Sequence, residues 1–374
     1  MSEFSTFVGL DVHQKDVVAA MLLPGTGEVQ RATFERGARG LKQLLKWLGK
    51  AGEGGVKCCY EAGSAGFVLQ RQLEEAGVRC AVVAPSLVWR QPGERQKNDR
   101  RDALKLATQL SWGLLREVHP PTQEDEAARG LVRARDDARG VLHQARQRLL
   151  KFLDQQGIPY QGTRWCGKHW RWLRSLELPV ALAQRVLGEL LLVVETAEQQ
   201  LERWDQMIAE LAETETYREP VGLLRCLRGV DTLTAMALLT ELYEFWRFGT
   251  PRQLMSFLGM VAGERSSGER ERGTGLTKTG NGLVRRLLTE AAWHYVQQPV
   301  RVSEGLRKRQ AGQPPEAVAT AQKALGRLKQ RYFRLTGRGK LPQVAAAAIA
   351  RELTGVVWAV LQPWAERQRP AAAA

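Results

Sequence analysis

From residue 4 to residue 36 apolar and polar positions alternate, broken by a turn at Pro24-Gly-Thr-Gly27, which predicts three antiparallel strands at 4–12, 16–23 and 28–36. Leu41, Leu44, Leu45 and Leu48 then recur at helical spacing. A strand at 56–60 follows, then a helix at 64–76 ended by Gly77, and a strand at 78–84 stopped by Pro85. A helix from about Asn98 to Trp112, with Asn98 or Asp99 near its N-cap, closes this region.

The pattern then changes. After a linker at 118–123 with paired prolines, Leu131, Val132, Val141, Leu142, Leu149, Leu150 and Leu153 recur every three to four residues, as in a long amphipathic helix over 124–156. Gly157 and Pro159 break it, and a second long helix is expected over 180–214. Two long polar helices with a connector predict a helical hairpin or coiled-coil arm suited to dimerisation. Trp165, Trp170 and Trp172 alternate with Lys168 and Arg171 in the connector, where they suit either base stacking or packing at the arm's tip. Residues 223–241 read as helix, glycine-centred turn and helix, similar to a helix-hairpin-helix whose turn offers backbone N–H groups to phosphate. Asp231 stands where glycine is usual, so a plain helical hairpin remains equally open. Further helices are expected at 248–258, led by Thr250 and Pro251, at 282–298, and around 315–335 and 342–361; a disordered tail is expected after them.

The order β-β-β-α-β-α-β-α is that of an RNase H-like domain, so the fold class expected is α/β plus α: an RNase H-like domain over 1–117, a helical arm over 124–217, a mostly α-helical domain over 218–362 and a tail over 363–374. In such a domain the carboxylates at element ends matter. Asp11 ends the first strand, Glu61 ends the fourth, and Asp99 and Asp102, spaced i, i+3, share one face of the last helix. Taken singly, each has an ordinary explanation as a turn residue, a strand end or an acidic helix start. Together, four converging carboxylates repel one another unless divalent cations neutralise them, and hard oxygen ligands suit magnesium or manganese. Two such ions about 4 Å apart stabilise the attacking and leaving oxygens of a phosphoryl transfer.

Charge narrows the partner. The 374 residues carry 55 Lys and Arg against 40 Asp and Glu, a net +15, which points to a polyanion, nucleic acid first, over a merely solubilising surface. The five cysteines are odd in number and contain no C-x-x-C pair, so neither a disulfide framework nor a zinc site is expected, and a reducing cytoplasm fits. No run of 18 apolar residues and no leader pattern is present, so neither a membrane span nor export is expected.

The remaining chemistry lies in Ser266-Ser267-Gly268, set among Arg265, Arg270 and Arg272. A hydroxyl beside a flexible glycine and several arginines suits a nucleophile facing phosphate, although such runs are usually solvated loops, and chemistry alone treats the two serines alike. Asp11, Glu61 and Lys97-Asn-Asp-Arg-Arg-Asp102, followed by Ser-Ser-Gly, by Thr277-Lys-Thr-Gly-Asn281 and by a helix opening with Arg285 and Arg286, resemble the insertion sequence 110 family of transposases, to which the Piv-type DNA invertases are related. The resemblance covers residues 4 to about 300. It implies a RuvC-like domain with Asp11, Glu61, Asp99 and Asp102 at the metal positions, and Ser267 as nucleophile forming a phosphoserine link. It also implies donor and target DNA, a structured bridge RNA, a homo-oligomer (a dimer, and a tetramer on DNA), and action beside the nucleoid of a prokaryotic cell. Arg265, Arg270, Arg272, Lys278, Arg285 and Arg286 are expected nucleic-acid contacts. The rivals are a RuvC-like junction or hybrid nuclease using only carboxylates and water, an actin-like sugar kinase or ATPase, and a basic scaffold without catalysis.

Overall fold

The computed structural model describes residues 4–24, 27–51, 54–85, 88–89, 99–267, 270–297 and 299–370, with the backbone alone for 264–274. The chain divides into two compact units, Met1–Pro121 and Thr122–Ala374.

The first unit runs β1 (Phe4–Val12), β2 (Asp16–Leu22), β3 (Val29–Glu35), α1 (Ala38–Leu48), β4 (Gly55–Glu61), α2 (Val68–Glu75), β5 (Arg79–Val83), α3 (Asp99–Ser111) and β6 (Glu117–Val118). Its sheet has the order β3-β2-β1-β4-β5-β6. The β1–β2 and β2–β3 pairs are antiparallel and the β1–β4 and β4–β5 pairs parallel, the mixed sheet of an RNase H-like domain. The expected linker at 118 begins later, because Glu117 and Val118 add an antiparallel edge to β5. The expected helix at 64–76 starts only at Val68, since Gly63–Gly66 forms a turn closed by the Gly66 N–H to the Gly63 carbonyl.

Strand parity sorts the two faces of this sheet. Val8, Leu10, Cys58, Tyr60, Cys80 and Val82 pack with Leu44, Leu48 and Leu73 of α1 and α2. Residues of the other parity, Cys59, Ala81 and Val83, pack with Leu106 and Leu110 of α3, while Val18 and Ala20 meet Ala103. Gly9 has this second parity, and a Cβ there would sit 1.9 Å from the Ala103 carbonyl oxygen, so α3 lies directly on the backbone of β1. Asn98 lies outside the described residues, and α3 begins at Asp99.

The second unit comprises α4 (Gln123–Gln155), α5 (Gly167–Arg174), α6 (Ala181–Ala212), α7 (Glu215–Arg225), α8 (Thr232–Leu242), α9 (Pro251–Phe257), the ribbon β7 (Ala262–Ser267) and β8 (Arg270–Leu276), then α10 (Gly282–Gln297), α11 (Glu304–Gln310), α12 (Pro315–Gly337) and α13 (Pro342–Arg367). Thr122 caps α4 by accepting from the Asp125 N–H, just after Pro120 and Pro121. The helices α4 and α6 form a hairpin: Leu142, Leu149 and Leu153 pack against Leu187, Val194 and Ala197, flanked by the ion pairs Arg135–Asp205 and Arg146–Glu198. At its tip Tyr160, Trp165 and Trp172 close around His169 with ring centroids 4.5–5.6 Å apart, so two of the three tryptophans are engaged in packing with the histidine. The base of the hairpin has no separate core. Ala128, Val132, Ile208 and Ala212 join the core built by α7, α8, α10, α12 and α13.

The last helix, α13, is long and apolar enough by composition to cross a membrane; here Ala345, Ile349, Leu353, Val357 and Leu361 are buried in that core. It continues to Arg367, past the expected start of a tail at 363, and residues 371–374 lie outside the described residues.

Candidate active site

Parity decides where the carboxylates go. Leu10 of β1 pairs with Tyr60 of the parallel neighbour β4, so Asp11 and Glu61 each follow that pair by one residue, on the sheet face covered by α3. The close approach at Gly9 brings the first turn of α3, with Asp99 and Asp102, over the end of β1. His13 completes the arrangement: its Nε2 lies 3.2 Å from Asp11 Oδ2 and 3.4 Å from Asp99 Oδ2. One ligand atom from each of Asp11, His13 and Asp99 lies within 4.8 Å of the other two.

The electrostatics of Asp11 suit a cation. Burial pushes its carboxyl above the ordinary value, His13 opposes this, and the nearby charges of Asp99 and Asp102 push it further up. Asp11 Oδ2 and His13 Nε2 are shielded from solvent and face each other. Two hard carboxylates and an imidazole with ligand atoms this close together fit a divalent metal ion. Glu61 and Asp102 border this trio, Glu61 through the strand register and Asp102 through its field on Asp11. Residue patterning missed His13. Its signature is Asp-x-His at a strand end, which becomes informative once β1 parity is fixed.

The serine stretch is a β-ribbon, where a solvated loop was the ordinary expectation. Ser267 pairs with Arg270, Ser266 with Glu271 and Arg265 with Arg272. By period two, the register positions of Arg265, Ser267, Arg270 and Arg272 share one face of the ribbon, and those of Glu264, Ser266 and Glu271 share the other. Gly268 lies outside the described residues. The ribbon is rooted by main-chain bonds from Thr277 to Val261 and from Lys278 to Gly259. Gly259 has φ +63°, and a Cβ there would meet the Thr279 carbonyl oxygen at 1.9 Å, so the root admits only glycine.

Two of the other expected phosphate contacts, Arg285 and Arg286, have partners within the protein. Arg285 donates to the Leu258 and Thr279 carbonyls and braces the ribbon root. Arg286 is held by Asp136 at 2.5 Å and Glu290 at 3.0 Å. Lys278 is exposed, with φ +55°. A further polar centre escaped sequence reasoning: Glu241, buried on α8, accepts from both Arg133 and the Asn281 amide, while Asn281 Oδ1 accepts from the Val284 N–H at the start of α10. Its only trace in the sequence is a lone acid in an apolar helix.

Comparison with known proteins gives these sites a setting. Residues 8–158 match a family model for the DEDD transposase domain of IS110, described as a transposase, and residues 221–304 match a second, described as transposase of the IS116/IS110/IS902 family. The chain is 39% identical over 357 residues to "Putative transposase y4qE" of Sinorhizobium fredii (strain NBRC 101917 / NGR234), covering 95% of this chain and 88% of that protein. It is 35% identical over 339 residues to the transposase for insertion sequence element IS1533 of Leptospira borgpetersenii, covering 89% and 97%. The DEDD transposase match spans the mixed sheet and α3, which carry Asp11 and Asp99, and it places the chain among the transposases, enzymes that break and rejoin DNA. More narrowly, the chain belongs to the IS110 family of transposases.

Proposed function

We propose that this transposase cleaves and rejoins the strands of an insertion sequence under the direction of a structured bridge RNA, with Ser267 as nucleophile and with Asp11, Glu61, Asp99 and Asp102 holding magnesium or manganese. The observation that carries the chemistry is the meeting of Asp11, His13 and Asp99 over the end of β1. The register that groups Ser267, and not Ser266, with three arginines supports the choice of nucleophile.

A divalent ion bound there supplies charge neutralisation at a phosphoryl oxygen. The chain's own residues do the rest. The Ser267 hydroxyl loses its proton to a base and its oxygen bonds to phosphorus; one ester P–O bond breaks, and the departing oxygen takes up a proton. Arg265, Arg270, Arg272 and Lys278 neutralise the charge that grows on the phosphoryl oxygens. The phosphoserine conserves bond energy, and attack by the hydroxyl of a second strand releases Ser267. Base pairing by the RNA selects sequence while the protein reads shape and phosphate. The assembly is a homo-oligomer, a dimer that forms a tetramer on DNA, in which one protomer's serine completes another's metal site, acting beside the nucleoid in the cytoplasm of a prokaryotic cell.

Ser267→Ala tests the nucleophile. Wild type and Ser266→Ala trap a protein–DNA adduct on a nicked substrate and Ser267→Ala does not; strand transfer retained by Ser267→Ala would sink the covalent route. Sequencing of RNA that copurifies tests the guide. The alternative, a metal-dependent nuclease that uses water, is favoured by one feature: the Asp11, His13 and Asp99 cluster is built from the first unit alone. It predicts cleavage without an adduct.

A further inference from the structure

The second unit contains a pocket of about 360 Å³ where the α7–α8 turn meets the segment joining α10 to α11; Arg228, Gly229, Asp231, His294, Arg301 and Arg309 line it. Arg228, 8% exposed, donates to the Pro299 and Arg301 carbonyls and so pins that segment across the turn. Arg309 donates to the Val230 carbonyl, and its Nε is shielded from solvent without an acceptor. Burial lowers the pKa of both guanidinium groups, and the neighbouring charge of Arg225 lowers that of Arg309 further.

Counter-charge is scarce here. Among the described residues no carboxylate lies within 4.0 Å of the Arg228, Arg301 or Arg309 nitrogens. The carboxylate that lines the pocket, Asp231, is committed as N-cap of α8, accepting from the Thr234 N–H at 2.8 Å. Asp231 pulls against the lowering at Arg309 but forms no ion pair with it. Arg228 is buried with its donors spent on carbonyls, Arg309 is half-buried with Nε unpartnered, and the exposed Arg301 stands at the rim. Positive charge thus gathers on a cavity at the positive end of the eleven-residue helix α8, an arrangement that favours an anion. The turn itself is fixed: Gly229 has φ +76°, and a Cβ there would meet the Ala291 carbonyl oxygen at 2.8 Å.

We propose that this pocket holds one backbone phosphodiester of a nucleic acid, independent of base sequence, with Arg301 and Arg309 as donors and the α7–α8 turn as its floor. The choice of a nucleic acid rests on the chain being a transposase; it does not depend on Ser267 or on a metal. A phosphate seated here, between residues that precede and follow the ribbon in sequence, gives the ribbon-bearing unit its own hold on the strand.

The test uses the full chain in EDTA, so that metal-dependent cleavage plays no part, and reads fluorescence anisotropy with a random-sequence DNA duplex and with a single-stranded RNA. The side chain of Arg301 is exposed, and its main chain alone is used by Arg228, which makes Arg301→Gln a clean variant. Arg307→Gln, on the exposed side of α11, removes the same charge outside the pocket. Arg301→Gln is expected to weaken binding about tenfold. It should also flatten the log-affinity against log-salt slope by about 0.9 with the duplex or about 0.7 with the single strand. Arg301→Lys should keep most of the slope. A loss with DNA alone assigns the phosphate to DNA, and a loss with RNA alone to RNA. Equal effects of Arg301→Gln and Arg307→Gln would overturn the proposal. So would thermal stabilisation by inorganic phosphate that persists at saturating DNA and RNA, because the pocket would then serve a free ion.

Discussion

Gly9 and Ala103 meet backbone to backbone: a Cβ on Gly9 would lie 1.9 Å from the Ala103 carbonyl oxygen. Gly9→Ala must therefore push α3 away from β1. We expect a cost of about 1–3 kcal/mol in urea denaturation, the range for overpacking, together with weaker Mn²⁺ binding because Asp99 and Asp102 ride on α3. A variant with wild-type stability and metal affinity would show that this approach is dispensable.

His13 touches both Asp11 and Asp99, so His13→Ala should lower Mn²⁺ affinity about 10- to 100-fold by isothermal titration while leaving the fold intact. Unchanged affinity would place the imidazole outside the coordination of the ion.

Glu241 is buried beneath Arg133 and Asn281 and ties α8 to α4 and α10. Removing it leaves Asn281 short of an acceptor, whereas Arg133, half exposed, can turn to water. Glu241→Ala should therefore cost about 3 kcal/mol, the lower end for a broken buried pair. Thermal and urea melts measure this, and a loss close to zero would contradict the bracing role.

The cysteines should differ sharply in reactivity. Burial raises the thiol pKa of Cys58, Cys59, Cys80 and Cys226, whereas hydrogen bonding from the His169 main chain lowers that of the partly exposed Cys166. Iodoacetamide near pH 8 should label Cys166 first in the native chain and the other four only on unfolding, as read by peptide mass spectrometry. Fast labelling at Cys59 would contradict the packing of α3 on β4.

With a net charge of +15, binding to random duplex DNA should fall about a thousandfold between about 50 and 200 mM salt. A flat profile would argue against extensive phosphate contact.

Alternation in β1–β3 and the three- to four-residue spacing of α4 made the sheet and the long helices readable, because each buries one face that the residue pattern must mark. The carboxylates were legible as element ends, but His13 was not, since its meaning depends on which face of β1 α3 covers. The β7–β8 ribbon resembled a loop because glycine, serine and charge dominate it, and its pairing is carried by main-chain bonds that composition does not encode. The extent of the arm was obscured for a different reason: Val132 and Ile208 have ordinary helical spacing, and only tertiary packing sends them into the core of α7–α13.

The placement of Asp11 ties this chemistry to a counting rule. Between Gly9, which admits α3, and Asp11, which needs it, stands one residue, Leu10, packed on the opposite face. Losing or gaining a single residue there would turn the carboxylate toward the α1 and α2 core and set its charge among leucines. Substitutions along β1 are thus constrained mainly by size, whereas its length between these two positions is constrained by the frame that sets which face Asp11 occupies.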